Sequence, residues 1–126
     1  MKLNKAQAFE FNTALSQQNL KAKHVSGENY LKIMSVKTLL KNKLTEVGEA
    51  EKSLALEFDA TQVTEVGFQI DDKDQRKEFF TKLAELHKAF SIELDLNFMP
   101  EKELKEFCKE QDTAFAAILF EYLLEK

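Results

Sequence analysis

Residues 91–100, SIELDLNFMP, decide whether this chain is all helical or carries a sheet. Ile92, Leu94, Leu96 and Phe98 alternate with Glu93, Asp95 and Asn97, the period-two pattern of a strand with one buried face. A strand needs a partner for its backbone N–H and C=O groups and a cover for its apolar row. The question passes outward to the rest of the chain: what supplies the partner and what supplies the cover?

One other stretch has strand character. In TQVTEVGFQIDD, residues 61–72, β-branched residues and a glycine accompany the alternating trio Val66, Phe68 and Ile70. Residues 63–70 are therefore the predicted partner, which would give a two-stranded sheet.

The remaining segments read as helices. Asn4 followed by Gln7 forms a capping-box pattern, and Ala8, Phe11 and Leu15 recur at helical spacing, predicting a helix over 4–17. QNLKAKHVSGEN reads as a loop ending at Ser26, an N-cap residue type. From Glu28 to about Phe58, the positions Ile33, Val36, Leu40, Leu44, Val47, Leu54 and Phe58 step by threes, fours and one seven, a single stripe on one long helix. Gly48 opposes an unbroken helix by about 1 kcal/mol relative to Ala. The alternation Leu54, Leu56, Phe58 would also suit an extended end, but EAEKSLALEF is rich in helix formers and helix is preferred.

Asp72 and Gln75 repeat the capping pattern before Phe79, Leu83, Leu86 and Phe90, a third helix. Pro100 suits the first turn of a short helix lined by Leu104, Phe107 and Cys108. Asp112 caps a last helix carrying Phe115, Ile118, Leu119, Tyr122 and Leu123. The expected fold is α+β and mostly helical: a long central helix and shorter helices packed on a small two-stranded sheet. At 126 residues one domain, 1–126, is expected.

Composition narrows the function. Hydrophobic residues make up 44% and charged residues 32%, the balance of a globular chain. A single cysteine, Cys108, excludes an internal disulfide and fits a reducing cytoplasm. The opening MKLNKAQAFEFN has no signal-peptide apolar run, and AFAAILF (114–120) is far shorter than the roughly 20 residues of a membrane span, so no membrane partner is expected.

The net charge of −4 is unevenly placed: residues 1–52 hold nine lysines and five acids, residues 53–126 nine basic residues and seventeen acids. Such polarity can steer a partner or align subunits head to tail. One arginine, Arg76, and an acidic total disfavour nucleic acid.

Chemical signatures are lacking. Asp71, Asp72 and Asp74 resemble the start of a calcium loop, but the required glycine is missing and Arg76 stands at a ligand position, so helix capping explains them better. His24, His87 and Cys108 have no metal-ligand spacing, and Gly27, Gly48 and Gly67 lie too far apart for a phosphate loop. His87 reads as a partly buried structural histidine and Cys108 as a buried apolar cysteine. No enzyme activity, cofactor or metal is expected.

The last helix stands out, because from Ala114 to Leu124 only Glu121 is charged. A helix apolar on nearly every face is buried on all sides or shared with another chain. Phe115, Ile118, Leu119, Tyr122 and Leu123 are therefore the candidate interface residues, for a protein partner or for self-association.

The order of segments resembles that of small uncharacterised proteins of tailed bacteriophages. The matching features are LNKAQ (3–7), the long Lys/Glu-rich helix beginning YLKIMSVKTLLKNK, the helix KEFFTKLAELHKAF (77–90), the acidic strand SIELDLNF and a C-terminal helix rich in Leu and Ala. The chain departs from them at VTEVGF and KEFF. The resemblance implies a viral protein of the host cytoplasm or the virion, and a structural or assembly role through protein–protein contacts. An acidic inhibitor of a host enzyme or defence system is the alternative, and a bacterial regulatory adaptor a third.

Overall fold

The computed structural model describes residues 1–58, 61–62 and 68–126. In chain order the elements are β1 (Lys2–Leu3), α1 (Lys5–Leu15), α2 (Gly27–Glu57), β2 (Thr61–Gln62), β3 (Phe68–Gln69), α3 (Lys73–Ala89), β4 (Ile92–Glu93), α4 (Glu101–Phe107) and α5 (Thr113–Leu123). The architecture is mostly helical α+β, with one long helix and small antiparallel two-stranded pairings.

Caps set the helix starts as the sequence indicates. Asn4 accepts from the Gln7 N–H while the Gln7 side chain accepts from the Asn4 N–H, a complete capping box. Ser26, Asp72 and Asp112 accept from the N–H groups of Asn29, Gln75 and Phe115. Pro100 is the N-cap residue of α4, extended at φ −58° and ψ 145°. The acid cluster at residues 71–74 thus places Asp72 as a cap, and Arg76 Nε donates to the Ile70 carbonyl at 2.9 Å.

α2 runs unbroken through Gly48, where a β-carbon would meet nothing within 4 Å, so the glycine weakens the helix without serving a close approach. Its end is helical, and Leu56 consequently points outward, 77% exposed. Ile33, Val36, Leu40 and Val47 are buried against α1, whose Ala8, Phe11, Ala14 and Leu15 are buried in turn. Beyond Val47 the helix leaves this main core. Ala55 joins Ile70 and Phe79 in a smaller cluster, with Leu54, Phe58 and Leu83 packed on it.

The opening stretch has a different partner from the predicted one. Ile92 and Glu93 pair antiparallel with Leu3 and Lys2, while Phe68 and Gln69 pair with Gln62 and Thr61 in a separate local ladder. Val66 and the rest of 63–67 lie outside the described residues. The physical reason is cover: Leu3, Ile92 and Leu94 belong to the main core, whereas Ile70 belongs to the small cluster at the end of α2.

Alternation also stops early. Ile92 and Leu94 are buried, but Asn97 adopts φ 63°, and beyond it Met99 is buried at 0% exposure while Phe98 is only half-buried. Asn is among the few residues that tolerate this left-handed conformation. The Asn97 N–H donates to the Tyr122 carbonyl at 3.0 Å, Asn97 Nδ2 to Leu124 at 2.9 Å and the Met99 N–H to Leu123 at 2.9 Å. These carbonyls end α5 and have no partner within it.

Leu3→Ala should cost about 2–4 kcal/mol by urea denaturation, the range for a buried leucine that leaves a cavity. A loss below about 1 kcal/mol would contradict the pairing of β1 with β4.

Candidate functional site

The candidate interface residues divide by burial. Leu119, Tyr122 and Leu123 are 0%, 3% and 0% exposed in the chain's own core, where the Tyr122 ring lies 4.8 Å from that of Phe11. Phe115 and Ile118 are half-buried against the same core. The helix is therefore covered on one side by α1 and the 97–99 segment. Its other side keeps Ala114, Ala117 and Glu121 exposed, while Phe120 and Leu124, half-buried at the flanks, also pack on the core.

A second outward surface lies on α2. Tyr30, Leu31, Met34 and Leu39 are 42%, 69%, 40% and 52% exposed, away from the stripe that meets the core. Leu31 and Met34 stand three residues apart and Tyr30 and Met34 four apart, so the three form one patch on the helix surface. Residues 29–45 contain Lys32, Lys37, Lys41 and Lys43 and no acid. Beside this patch a hollow of about 140 Å³ is lined by Leu15, Leu20, Tyr30, Met34, Lys37 and Phe107. Scattered exposed apolar residues are ordinary on a globular surface, but contiguous ones mark contact sites.

Polar chemistry gathers where α1, α2 and α3 meet. Glu51 Oε1 lies 2.7 Å from Lys5 Nζ and 2.8 Å from His87 Nε2, and those two nitrogens are 3.2 Å apart. A carboxylate oxygen only accepts and an ammonium only donates, so Lys5 donates to Glu51, while His87 Nε2 donates to Glu51 or accepts from Lys5 according to its tautomer. The Glu51 side chain is 14% exposed. Burial pushes its pKa up, but the hydrogen bonds and positive charge of Lys5 and His87 outweigh burial, and the carboxyl lies below its usual range. With Lys5 Nζ and His87 Nε2 both within 2.8 Å of one oxygen, the cluster ties three helices together.

An open cleft of about 540 Å³ flanks the cluster, lined by Asn4, Lys5, Ala6, Phe9, His87 and Lys88. Phe9 is 58% exposed at this cleft. Cys108, the residue that ends α4, is buried, and burial pushes its thiol up to about 11. Among the described residues no three His, Cys, Asp or Glu side chains are grouped to hold a metal ion, and no helix is long and apolar enough to cross a membrane.

Sequence reading placed His87 in a structural role but singled out neither Glu51 nor Lys5. A signal for Glu51 was present: it fills the seven-residue step of the α2 stripe, four after Val47 and three before Leu54. An acid on a core-facing stripe calls for a partner. Lys5 offers no such signal, because it stands 46 positions from Glu51 in sequence and only packing joins them.

No family model, curated protein or solved structure matches this chain.

Glu51→Gln should lower stability at neutral pH by about 1–2 kcal/mol. Because the folded-state pKa is depressed, the wild-type advantage is full above the unfolded glutamate value of about 4.3 and fades as pH falls through the lower folded value. Urea titrations from pH 7 to pH 3 should show the two proteins converging in acid. Separately, Leu119→Ala should cost about 2–5 kcal/mol, as for other buried leucines, and this unfolding penalty should appear in dilute monomer. A loss under about 1 kcal/mol would place Leu119 outside the core.

Proposed function

We propose that this protein is a non-enzymatic structural or assembly component that works by protein–protein contact, with the outer face of α2 as a principal contact surface. The observation that carries this reading is the patch formed by Tyr30, Leu31 and Met34, left outward on a helix whose other side already completes the core. Burying three such side chains against a partner would contribute a few kcal/mol, at roughly 25 cal/mol per Å² of apolar surface removed from water. That surface is otherwise a solubility cost that a purely structural helix face, solvated by charge, would not carry.

Lysines beside the patch direct the choice of partner toward apolar surfaces edged with acids. The exposed leucines and methionine argue against a phosphate backbone as the main ligand, since such ligands reward charge and hydrogen bonds more than aliphatic surface. The phage setting, virion or host cytoplasm, is supported by the sequence resemblance alone.

The double substitution Leu31→Glu with Met34→Glu should leave the fold intact, with a stability change within about 0.5 kcal/mol, because both side chains are exposed. Cross-linking of the expressed chain in its cells, followed by mass spectrometry, should map contacts to residues 30–41 in the wild type and lose them in the variant. Contacts that persist unchanged, or that map elsewhere, would refute α2 as the contact surface.

A further inference from the structure

Two outward helix faces of this chain are complementary to each other. Along α2, Lys37 and Lys41 follow the exposed Tyr30, Leu31 and Met34 on the same side of the helix, whereas Lys32 is paired with Glu28 and lies over the Phe98 ring, and Lys43 borders α3. Along α5 and its approach, residues 110–125 carry Glu110, Asp112, Glu121 and Glu125 and no lysine or arginine. That second segment shows Ala114, Ala117 and Glu121 to solvent, with Phe120, Ile118 and Leu124 half-buried at the sides. One face is basic and apolar, the other acidic and apolar.

The two faces do not meet within one chain. Both helices pack on α1, and both send their buried stripes, Ile33, Val36 and Leu40 from one and Leu119, Tyr122 and Leu123 from the other, into the same core. Each exposed face is turned away from that shared core and therefore away from the other. An intramolecular pairing of the two is excluded by the packing, but an intermolecular one is not.

We propose that the outer face of α2 docks on the outer face of α5 of a second copy of this chain, a head-to-tail contact. The assembly role proposed above is presupposed, and this contact supplies its partner. Ala114 and Ala117 stand three residues apart and leave a low path along α5, into which the larger Leu31 and Met34, also three apart, can settle as a ridge. Lys37 and Lys41, one turn further along α2, then face Glu121 and Glu125 near the end of α5.

The alternatives fit less well. An anionic membrane would reward the lysines and leucines of α2 but give no role to the acidic, apolar face of α5. A symmetric dimer through α2 alone would bring Lys37 and Lys41 of the two copies together, like charge with like, and leave the acidic face of α5 unused. The head-to-tail contact uses both faces, and because each copy retains one free face of each kind, it continues into a ring or an open filament. The contact includes a charge term at the surface, which salt weakens.

Sedimentation velocity on the full chain tests this with three proteins: wild type, the α2 variant Leu31→Glu/Met34→Glu, and the α5 variant Ala117→Arg. Both sites are exposed, and matching circular dichroism and melting temperature establish that each variant is folded; Glu121→Lys replaces Ala117→Arg if that protein misfolds. The wild type should grow in mass with concentration and lose mass as salt is raised. Each variant alone should sediment as a monomer. Their equimolar mixture should form a species of twice the monomer mass and stop there, because only one intact α2 face and one intact α5 face remain to pair.

A wild type that stays monomeric at every concentration overturns the proposal, as does a mixture that stays monomeric or a variant that still self-associates. Binding to anionic vesicles without self-association overturns it in favour of a membrane surface. Where the wild type is monomeric yet cross-links through residues 30–41 to a different protein, the self-docking falls and the contact function stands. Where neither kind of contact is found, both fall.

Discussion

The stretch from Ile92 to Met99 is the constraint on which the rest of the structure depends, because its backbone closes both ends of the chain onto one core. On its first residues it accepts β1 as a strand partner, which holds Leu3 in the core and sets where α1 begins. On its last residues it donates to the carbonyls of Tyr122 and Leu123, groups that a helix end leaves unpaired. Asn97 makes the change of direction between these two roles: its left-handed backbone turns Met99 inward, and its side-chain amide supplies the remaining bond to Leu124. Without it the carbonyls of Tyr122 and Leu124 would lose these donors, the latter in a partly buried setting.

From that seam the energetic arrangement follows. α1 is the element most enclosed, with Ala8, Phe11 and Ala14 at 0% exposure, and its small residues let both α2 and α5 approach it closely. α2 is too long for the main core to cover. Its final turns find a second, smaller cluster with Phe79, and the Glu51 junction with Lys5 and His87 sits along the helix between the two apolar clusters. The carboxylate there is held by the Lys5 ammonium from α1 and lies against the His87 ring from α3, so the same group that would be costly if unpaired becomes a three-helix tie.

Much of the fold was legible because local rules and tertiary packing agree. The capping residues Asn4, Ser26, Asp72 and Asp112 mark four helix starts correctly, since a side-chain acceptor one turn from the first free N–H groups is a local matter. The stripe of α2 and the row Phe79, Leu83, Leu86 and Phe90 are equally local in origin. The candidate contact surface was less legible. Sequence directs attention to the apolar abundance of α5, but abundance does not tell which side α1 will cover, and Leu119, Tyr122 and Leu123 are on the covered side. The patch on α2 was hidden by the dominance of the opposite stripe: Tyr30, Leu31 and Met34 read as extra apolar residues on a helix already accounted for.

What the sequence by itself determined is the helical body, its caps, the alternating character of residues 92–95 and the separation of basic from acidic segments, all of which depend on neighbours within a few positions. What only the tertiary structure decided is which strand meets which, where Lys5 and His87 find Glu51, and which faces of α2 and α5 remain outward. Those outcomes join residues as far apart as Leu3 and Ile92, and they were decided by competition for one core. Strand pairing went to β1 because Leu3 could be buried beside Ile92 and Leu94, while Phe68 and Gln69 were held at the far end of α2 by Ile70 and Phe79. A period of two announces that a strand exists; only the place where its apolar row is covered tells with whom it pairs.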